Sequence, residues 1–350
     1  WSSDVCSSDL ETVDTLLVEV QTDCGTTGFG EAPQVWQVTG ESLAGAQACV
    51  EQLLGPLLVG ADTDDWVELA ERVHRVCARN FGAKAAVETA VLDVVARAAG
   101  MPLAHLLADV AGVPRPVGGD GSLVVATDVT VSAGAPDQLA ATAERRVAEG
   151  FGRLKVKVGT DAATDVARVR AVREAVGPSV GIRLDANQGW SREDAVEVIQ
   201  ALAAAELGVE LVEQPVAGED VEGLAWVRER VELPVLADET VYGPVDLDRV
   251  IRLAAADAVN VKLAKCGGPL VALRLLARAR EAGLDTMVGS MMESHVGVGA
   301  MGAVAAAYGT TLESDLDAAW WLAASPYAGG PSYRPGELVL PDAPGLGLSA

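Results

Sequence analysis

After residue 120 the chain repeats one pattern: a short apolar run, then a stretch rich in Ala, Arg, Glu and Leu. The apolar runs fall at 127–131, 154–158, 181–185, 210–213, 234–238, 258–262, 286–289 and 310–313. Runs this short, separated by helical segments, read as strands of a parallel sheet. Eight strands alternating with helices is the count of a (β/α)8 TIM-type barrel, so the fold class predicted is α/β. The repeat lies in the structural pattern and not in any repeated sequence motif.

Upstream the pattern differs. Residues 13–20 alternate as a strand, and 26–31 reads as a turn into a second strand. Helices are predicted near 41–58, 63–79, 83–99 and 103–110, with Asp62 and Thr63 as N-caps and Gly100 and Pro102 as a stop. This gives an α+β capping domain over 11–115. Pro114-Arg-Pro-Val-Gly-Gly-Asp-Gly121 is the clearest linker, and the barrel is expected over 116–330. Residues 331–350, with Pro335-Gly-Glu-Leu-Val-Leu-Pro341, read as a strand and turns that return to the cap and complete it. Residues 1–10 match no periodic element and are expected to be a foreign or disordered leader.

Composition narrows the function classes. Of 350 residues, 50% are hydrophobic and 22% charged, enough for a sizeable core and too apolar for global disorder. Lys and Arg total 26 against 50 Asp and Glu, a net charge of -24, which repels nucleic-acid backbones. The Ala-rich apolar runs at 201–205 and 303–307 are too short to span a membrane. The five cysteines are odd in number and none are spaced as Cys-x-x-Cys, so neither a disulfide framework nor a zinc site is predicted. A reducing, cytoplasmic setting is expected.

The polar residues gather at the C-terminal ends of five successive strands, where barrel enzymes carry their chemistry. Lys155 and Lys157 share a face of the second strand, because side chains alternate. The third ends in Asp185, the fourth in Glu213, the fifth in Asp238 and the sixth in Lys262. Any one of these carboxylates alone could serve as a helix cap or a loop ion pair. Three at matching strand ends form a hard-oxygen set suited to Mg²⁺. Lys157 and Lys262 bracket that set. A partly desolvated lysine near other cations and a bound metal is expected to have its pKa lowered toward neutrality and to act as a base, with Lys155 supplying the neighbouring charge. Removing a proton beside a carboxylate builds an enediolate, which a divalent ion stabilises. Two lysines on opposite faces permit removal from one side and return from the other, inverting a stereocentre.

From about Glu11 onward the sequence resembles the enolase superfamily in its muconate-lactonising branch. The resemblance rests on Lys155-Val-Lys157, Asp185-Ala-Asn-Gln-Gly-Trp190, Glu213-Gln-Pro215, Ala237-Asp-Glu239 and Asn260-Val-Lys262, in that order. It implies a capping domain on a modified barrel, one Mg²⁺ per subunit on Asp185, Glu213 and Asp238, and Lys157 and Lys262 as the acid/base pair. It also implies a homo-oligomer.

Within that branch the chain is most similar to the dipeptide epimerases, through Asp128-Val-Thr-Val-Ser132, Gly289-Ser-Met-Met-Glu-Ser294 and Asp315-Leu-Asp317. The resemblance implies that Asp315 and Asp317 hold the α-ammonium of a dipeptide, with Thr130, Met292 and Glu293 as further substrate contacts. A solvated acidic loop is the alternative for the Asp pair. N-acylamino acid racemases, o-succinylbenzoate synthases and cycloisomerases share the same lysines and metal set, and a non-catalytic protein on an inherited barrel is a third reading. The family's first strand and the mobile loop that closes over the substrate belong before Glu11 and are expected to be missing from this chain, so the cap is expected to be truncated at its start, with the side-chain preference left open. One of Trp320 and Trp321 is expected to line the pocket, with core packing as the alternative. His295 is expected at a helix start or loop, and Lys265 and Cys266 are read as structural.

Overall fold

The computed structural model describes residues 12–119, 121–132 and 134–349, so the leader expected over residues 1–10 and Cys6 lie outside the described residues. The chain opens with an antiparallel pair, β1 (Thr15–Gln21) and β2 (Thr27–Pro33), with Thr15 opposite Pro33 and Gln21 opposite Thr27. The helices that follow are α1 (Leu43–Cys49), which runs through a π turn into α2 (Gly55–Leu58), then α3 (Trp66–Arg75), α4 (Phe81–Ala98) and α5 (Leu103–Ala111). Ser42 caps α1 by accepting from the Gly45 N–H. The third helix is shorter than the predicted 63–79. A 3₁₀ turn capped by Asp62 precedes it, and beyond it Arg79 and Asn80 take left-handed φ of 53° and 50°.

Helix α4 lies directly on β2, and the sequence of the strand permits it. A Cβ at Gly28 or Gly30 would sit 2.2 or 1.8 Å from the carbonyl oxygens of Ala90 or Ala86. Only glycine allows that approach.

The barrel strands are β4 (Val129–Val131), β5 (Arg153–Lys157), β6 (Gly181–Asp185), β7 (Val209–Glu213), β8 (Val235–Ala237), β9 (Ala258–Val261) and β10 (Asp285–Val288), preceded by β3 (Leu123–Ala126), which pairs elsewhere. They form one parallel sheet in the order β10-β9-β8-β7-β6-β5-β4. Between them run α6 (Pro136–Ala148), α7 (Ala162–Val176), α8 (Arg192–Ala204), α9 (Val221–Arg228), α10 (Pro244–Leu253), the short α11 (Leu263–Cys266) and α12 (Pro269–Glu281), with α13 (His295–Tyr308) after β10.

The expected eighth strand at 310–313 does not form. The sheet is closed instead by isolated parallel bridges, Thr127 with Ser314 and Gly289 with Asp315. A few backbone bonds remain, such as those from the Thr311 and Leu312 N–H groups to the Thr286 carbonyl, and side chains add to them. The Thr311 N–H donates to Thr286 Oγ1, and the Glu313 carbonyl accepts from Arg183. The Glu313 carboxylate pairs with Arg153.

The C-terminal segment builds β11 (Ala328–Gly329), β12 (Ser332–Arg334), β13 (Glu337–Leu340) and β14 (Leu348–Ser349). Strand β13 pairs with β3, and β11 with β14. Residues near the end bond to α4 and α5: Arg97 donates to the Leu348 carbonyl, Asp93 accepts from the Leu346 N–H, and the Leu103 N–H reaches the Gly345 carbonyl. Cys24, Cys49, Cys77 and Cys266 are free thiols. Among the described residues no single helix is long and apolar enough to cross a membrane.

Candidate active site

The parallel register sets the site. Lys157 lies opposite Asp185, Asp185 opposite Glu213, and Glu213 opposite Leu236, two residues before Asp238 on the same face. Lys262 immediately follows β9. The five side chains are buried at the strand ends, a placement that costs free energy unless charges are paired.

They are paired. Lys155 Nζ lies 3.0 Å from Asp185, 2.8 Å from Glu213 and 2.7 Å from Asp315. Lys157 donates to Asp185 at 2.7 Å and to Asn187 Oδ1 at 2.9 Å. Lys262 donates to Asp238 Oδ2 at 2.9 Å, while Lys265 Nζ sits 2.6 Å from Oδ1 of the same carboxylate. Asn260 donates to Glu213 Oε1 at 3.0 Å.

Without a cation beside them, these contacts hold the lysines as ammonium groups. Burial pulls Lys155 down, but Asp185, Asp315 and Glu213 outweigh it and hold the ammonium well above its ordinary range. Lys262 behaves likewise, with Asp238 outweighing burial. For Asp185, the effect of burial is overcome by Lys155 and Lys157, which hold it below the usual carboxylate range. Glu213 is pushed up to about 7 by burial, with Asp185 and Asp238 adding to it. Glu239 is pushed up to about 8 by burial, then Asp238 and Asp185.

Among the described residues, no three carboxylates converge on one point as a ready-made metal cage, because ammonium groups occupy their lone pairs. The donor chemistry nevertheless fits a divalent cation. Six buried carboxylates (Asp185, Glu213, Asp238, Glu239, Asp315 and Asp317) face four buried lysines (Lys155, Lys157, Lys262 and Lys265). Asp185, Glu213 and Asp238 offer hard carboxylate oxygens at neighbouring strand ends, and Glu239 Oε2 is buried without a hydrogen-bond partner among the described residues.

A cavity of about 260 Å³ opens over these groups. It is lined from the barrel by Thr130, Met292, Asp315, Asp317 and Trp321, and from the cap by residues 12–14, Gln34 and Val35, Gln37 and Val38. Asp317 Oδ2 accepts from the Thr130 N–H at 2.7 Å and from Trp321 Nε1–H at 3.0 Å. Trp321 thus belongs to the cavity wall, whereas Trp320 packs edge-on between Phe151 and Tyr333. Glu293 does not line the cavity. It turns beneath the loop, with Oε1 accepting from the Met291 N–H. His295 opens α13. A larger groove of about 570 Å³ between α3, α5 and α12 is walled by apolar side chains such as Trp66, Val110 and Leu273, away from the strand ends.

Several residues at the site escaped sequence reasoning. Asn260 sits two before Lys262, so strand alternation alone could have placed it on the same face. Asn187 and Glu239 bond to each other beside Lys157, joining the third and fifth strand ends in a way no local spacing reveals. Glu31 comes from the cap: it accepts from the Ser294 and Gly297 N–H groups and the Ser294 hydroxyl, fastening β2 to the start of α13.

Comparison with known proteins agrees with this geometry. Residues 138–350 match the enolase C-terminal domain-like family, and residues 5–108 match the mandelate racemase / muconate lactonizing enzyme N-terminal domain. An L-Ala-D/L-Glu epimerase of Bacillus subtilis is 37% identical over 96% of this chain and 89% of its own. A hydrophobic dipeptide epimerase of Enterococcus faecalis is 38% identical over 97% of this chain and 93% of its own. A solved structure of the dipeptide epimerase from Enterococcus faecalis V583, complexed with Mg and L-Leu-L-Tyr, superposes with a TM-score of 0.89 at 37% identity, covering 97% of this chain and 93% of that one. The chain belongs to the mandelate racemase and muconate lactonizing enzyme family of the enolase superfamily.

Proposed function

We propose that this chain is a dipeptide epimerase. It inverts the α-carbon of the C-terminal residue of a dipeptide by a 1,1-proton transfer. Lys157 and Lys262 are the two bases, and Asp185, Glu213 and Asp238 hold one Mg²⁺ per chain. The observation that carries the reading is a cavity lined by Lys157, Lys262, Asp238 and the Asp315 and Asp317 pair, with Asp185 bonded to Lys157 at the adjoining strand end. The two epimerase relatives over nearly the full chain support it.

The bound cation supplies positive charge that offsets the charge building on the substrate carboxylate as the α-proton leaves. The protein's own groups do the rest. Lys157 and Lys262 approach from β5 and from the end of β9, so one accepts the α-proton and the other returns one from the opposite side. Each is now tied to a carboxylate of the trio. Once Asp185 and Asp238 are engaged elsewhere, burial favours the neutral amine that a base needs. Lys155 stays cationic between Asp185, Glu213 and Asp315. Asp315 and Asp317 present anionic charge to the free α-ammonium, and the bonds from Thr130 and Trp321 fix the Asp317 carboxylate.

The test is incubation with Mg²⁺ and a library of L,L-dipeptides in D₂O, reading gain of one deuteron by mass spectrometry. Exchange in a subset is expected. Lys157→Ala and Lys262→Ala should each abolish epimerisation, and full activity in both would overturn the mechanism. Exchange in N-acetyl amino acids but in no dipeptide would assign the site to N-acylamino acid racemisation instead.

A further inference from the structure

We infer that the site selects dipeptides whose epimerised residue carries an uncharged, apolar side chain, and rejects those ending in Glu or Asp. This rests on the dipeptide reading above and concerns the wall of the same cavity.

The cavity's cations are Lys155, Lys157 and Lys262, and each is committed to carboxylates at the strand ends. No arginine and no histidine lines it among the described residues. The acidic side is larger. Besides the Asp pair and Asp238, Glu239 lies within it and exposed Asp14 stands at its mouth. An acidic side chain entering here would lose water and meet carboxylates of its own sign, with no free cation to receive it.

The apolar groups form a continuous wall. Val35 of the cap packs with Met291 and Ala264 of the barrel, and Val38 packs against that cluster. Ala264 is two residues from Lys262, so the wall stands beside one of the two bases. Val13 and Met292 extend it along the cavity. A side chain carried on an α-carbon held between Lys157 and Lys262 therefore meets valine and methionine, and methionine adapts to side chains of varied shape. The volume of about 260 Å³ falls below the usual ~300–1,000 Å³ of ligand pockets, which suits a dipeptide better than a longer peptide.

The experiment uses the Mg²⁺-loaded protein with L-Ala-L-Leu, L-Ala-L-Glu, L-Ala-L-Lys and N-acetyl-L-Leu in D₂O. Deuterium exchange gives kcat/KM, and calorimetry gives binding of the Leu and Glu dipeptides. L-Ala-L-Leu should exceed L-Ala-L-Glu by about 100-fold in kcat/KM and bind more tightly. Gln37 is exposed at the cavity, and Gln37→Arg places a cation there with little risk to folding. It should narrow the ratio about tenfold. Exchange of L-Ala-L-Glu as fast as or faster than L-Ala-L-Leu would overturn the specificity and leave the dipeptide reading standing. A preference for L-Ala-L-Lys would also overturn it, giving the decisive role to Asp14 and Glu239. Exchange of N-acetyl-L-Leu alone would overturn both.

Discussion

Lys155 and Asp315 meet at 2.7 Å although 160 residues separate them. The contact joins the second strand to the residue that closes the barrel, and it sets the electrostatics of the Asp pair. Burial pushes the Asp315 carboxyl up, but Lys155 and Lys262 outweigh it and keep it below its ordinary range. Burial pushes Asp317 up, with Asp315 adding to it. The two acids are therefore not equivalent: Asp315 is already compensated by a lysine, and Asp317 is not.

This inequality can be read in kinetics. Asp317→Asn should lower kcat/KM for dipeptides by about 30- to 1,000-fold, the scale of ~2–4 kcal/mol for losing one partner of a buried charge pair. The loss should fall chiefly on KM. Asp315→Asn should cost both KM and kcat, because it also frees Lys155 to pull more strongly on Asp185 and Glu213. Steady-state rates with L-Ala-L-Leu check both. Equal activity of wild type and both variants would show that neither Asp touches the ammonium.

The barrel's closure depends on a buried arginine. Arg183 Nη1 lies 3.2 Å from Asp128 Oδ2 and donates to the Glu313 carbonyl at 2.7 Å. It bridges β4, β6 and the segment that replaces the eighth strand. Burial pushes the Asp128 carboxyl well up, so Arg183→Met removes a buried hydrogen-bond donor from Asp128 and from the Glu313 carbonyl and should cost about 1–3 kcal/mol. Asp128→Asn in the Arg183→Met background should recover part of that. Urea denaturation of wild type and the two variants measures it, and a midpoint unchanged in Arg183→Met would refute the closure.

Much of this was legible in the sequence, for physical reasons that differ by region. The seven sheet strands were readable because parallel strands buried on both faces are continuous apolar runs. Lys157, Asp185, Glu213 and Asp238 were readable as a set because a charge at the end of a buried strand is costly without a partner, and four in register imply one another. The segment at 310–313 was misread because its two threonines favour strand, while its fate was decided by Thr286, Arg153 and Arg183, all distant in sequence. The ion pairs of Lys155 and Lys262 were not legible because they depend on distances across the strands. Glu293 was misplaced because its neighbours in sequence line the cavity and a one-residue offset turns a side chain away.

Close packing of the cap supplies another check. Gly30 has room for no side chain beneath α4, since a Cβ would lie 1.8 Å from the Ala86 carbonyl oxygen. Backbone rather than a flexible side chain is in the way, so the helix or the strand has to move. Gly30→Ala should destabilise the protein by about 1–3 kcal/mol or more. Because β2 carries Glu31, which holds the start of α13, it should also raise KM for dipeptides. A variant as stable as wild type would show that α4 does not rest on β2 in solution.

Glu293 yields a prediction in pH. Its carboxyl is buried, Oε2 has no hydrogen-bond partner among the described residues, and burial followed by the Glu31 charge pushes it up to about 8 from an ordinary 4.5. Below about pH 4.5 the group is protonated in both folded and unfolded chains and contributes nothing to the pH dependence. Between about 4.5 and 8 the unfolded chain releases this proton while the folded chain keeps it. Stability then falls as pH rises, by up to about 1.4 kcal/mol per unit, and the loss is complete above 8. Glu293→Gln keeps the shape and removes the titration. Its melting temperature should match wild type near pH 4.5 and exceed it by pH 8, a gain of roughly 2–4 kcal/mol. Melting curves at pH 5, 6, 7 and 8 decide the matter: a gap that widens with pH follows from a protonated Glu293, and parallel curves would mean that the carboxyl is already ionised in the folded protein.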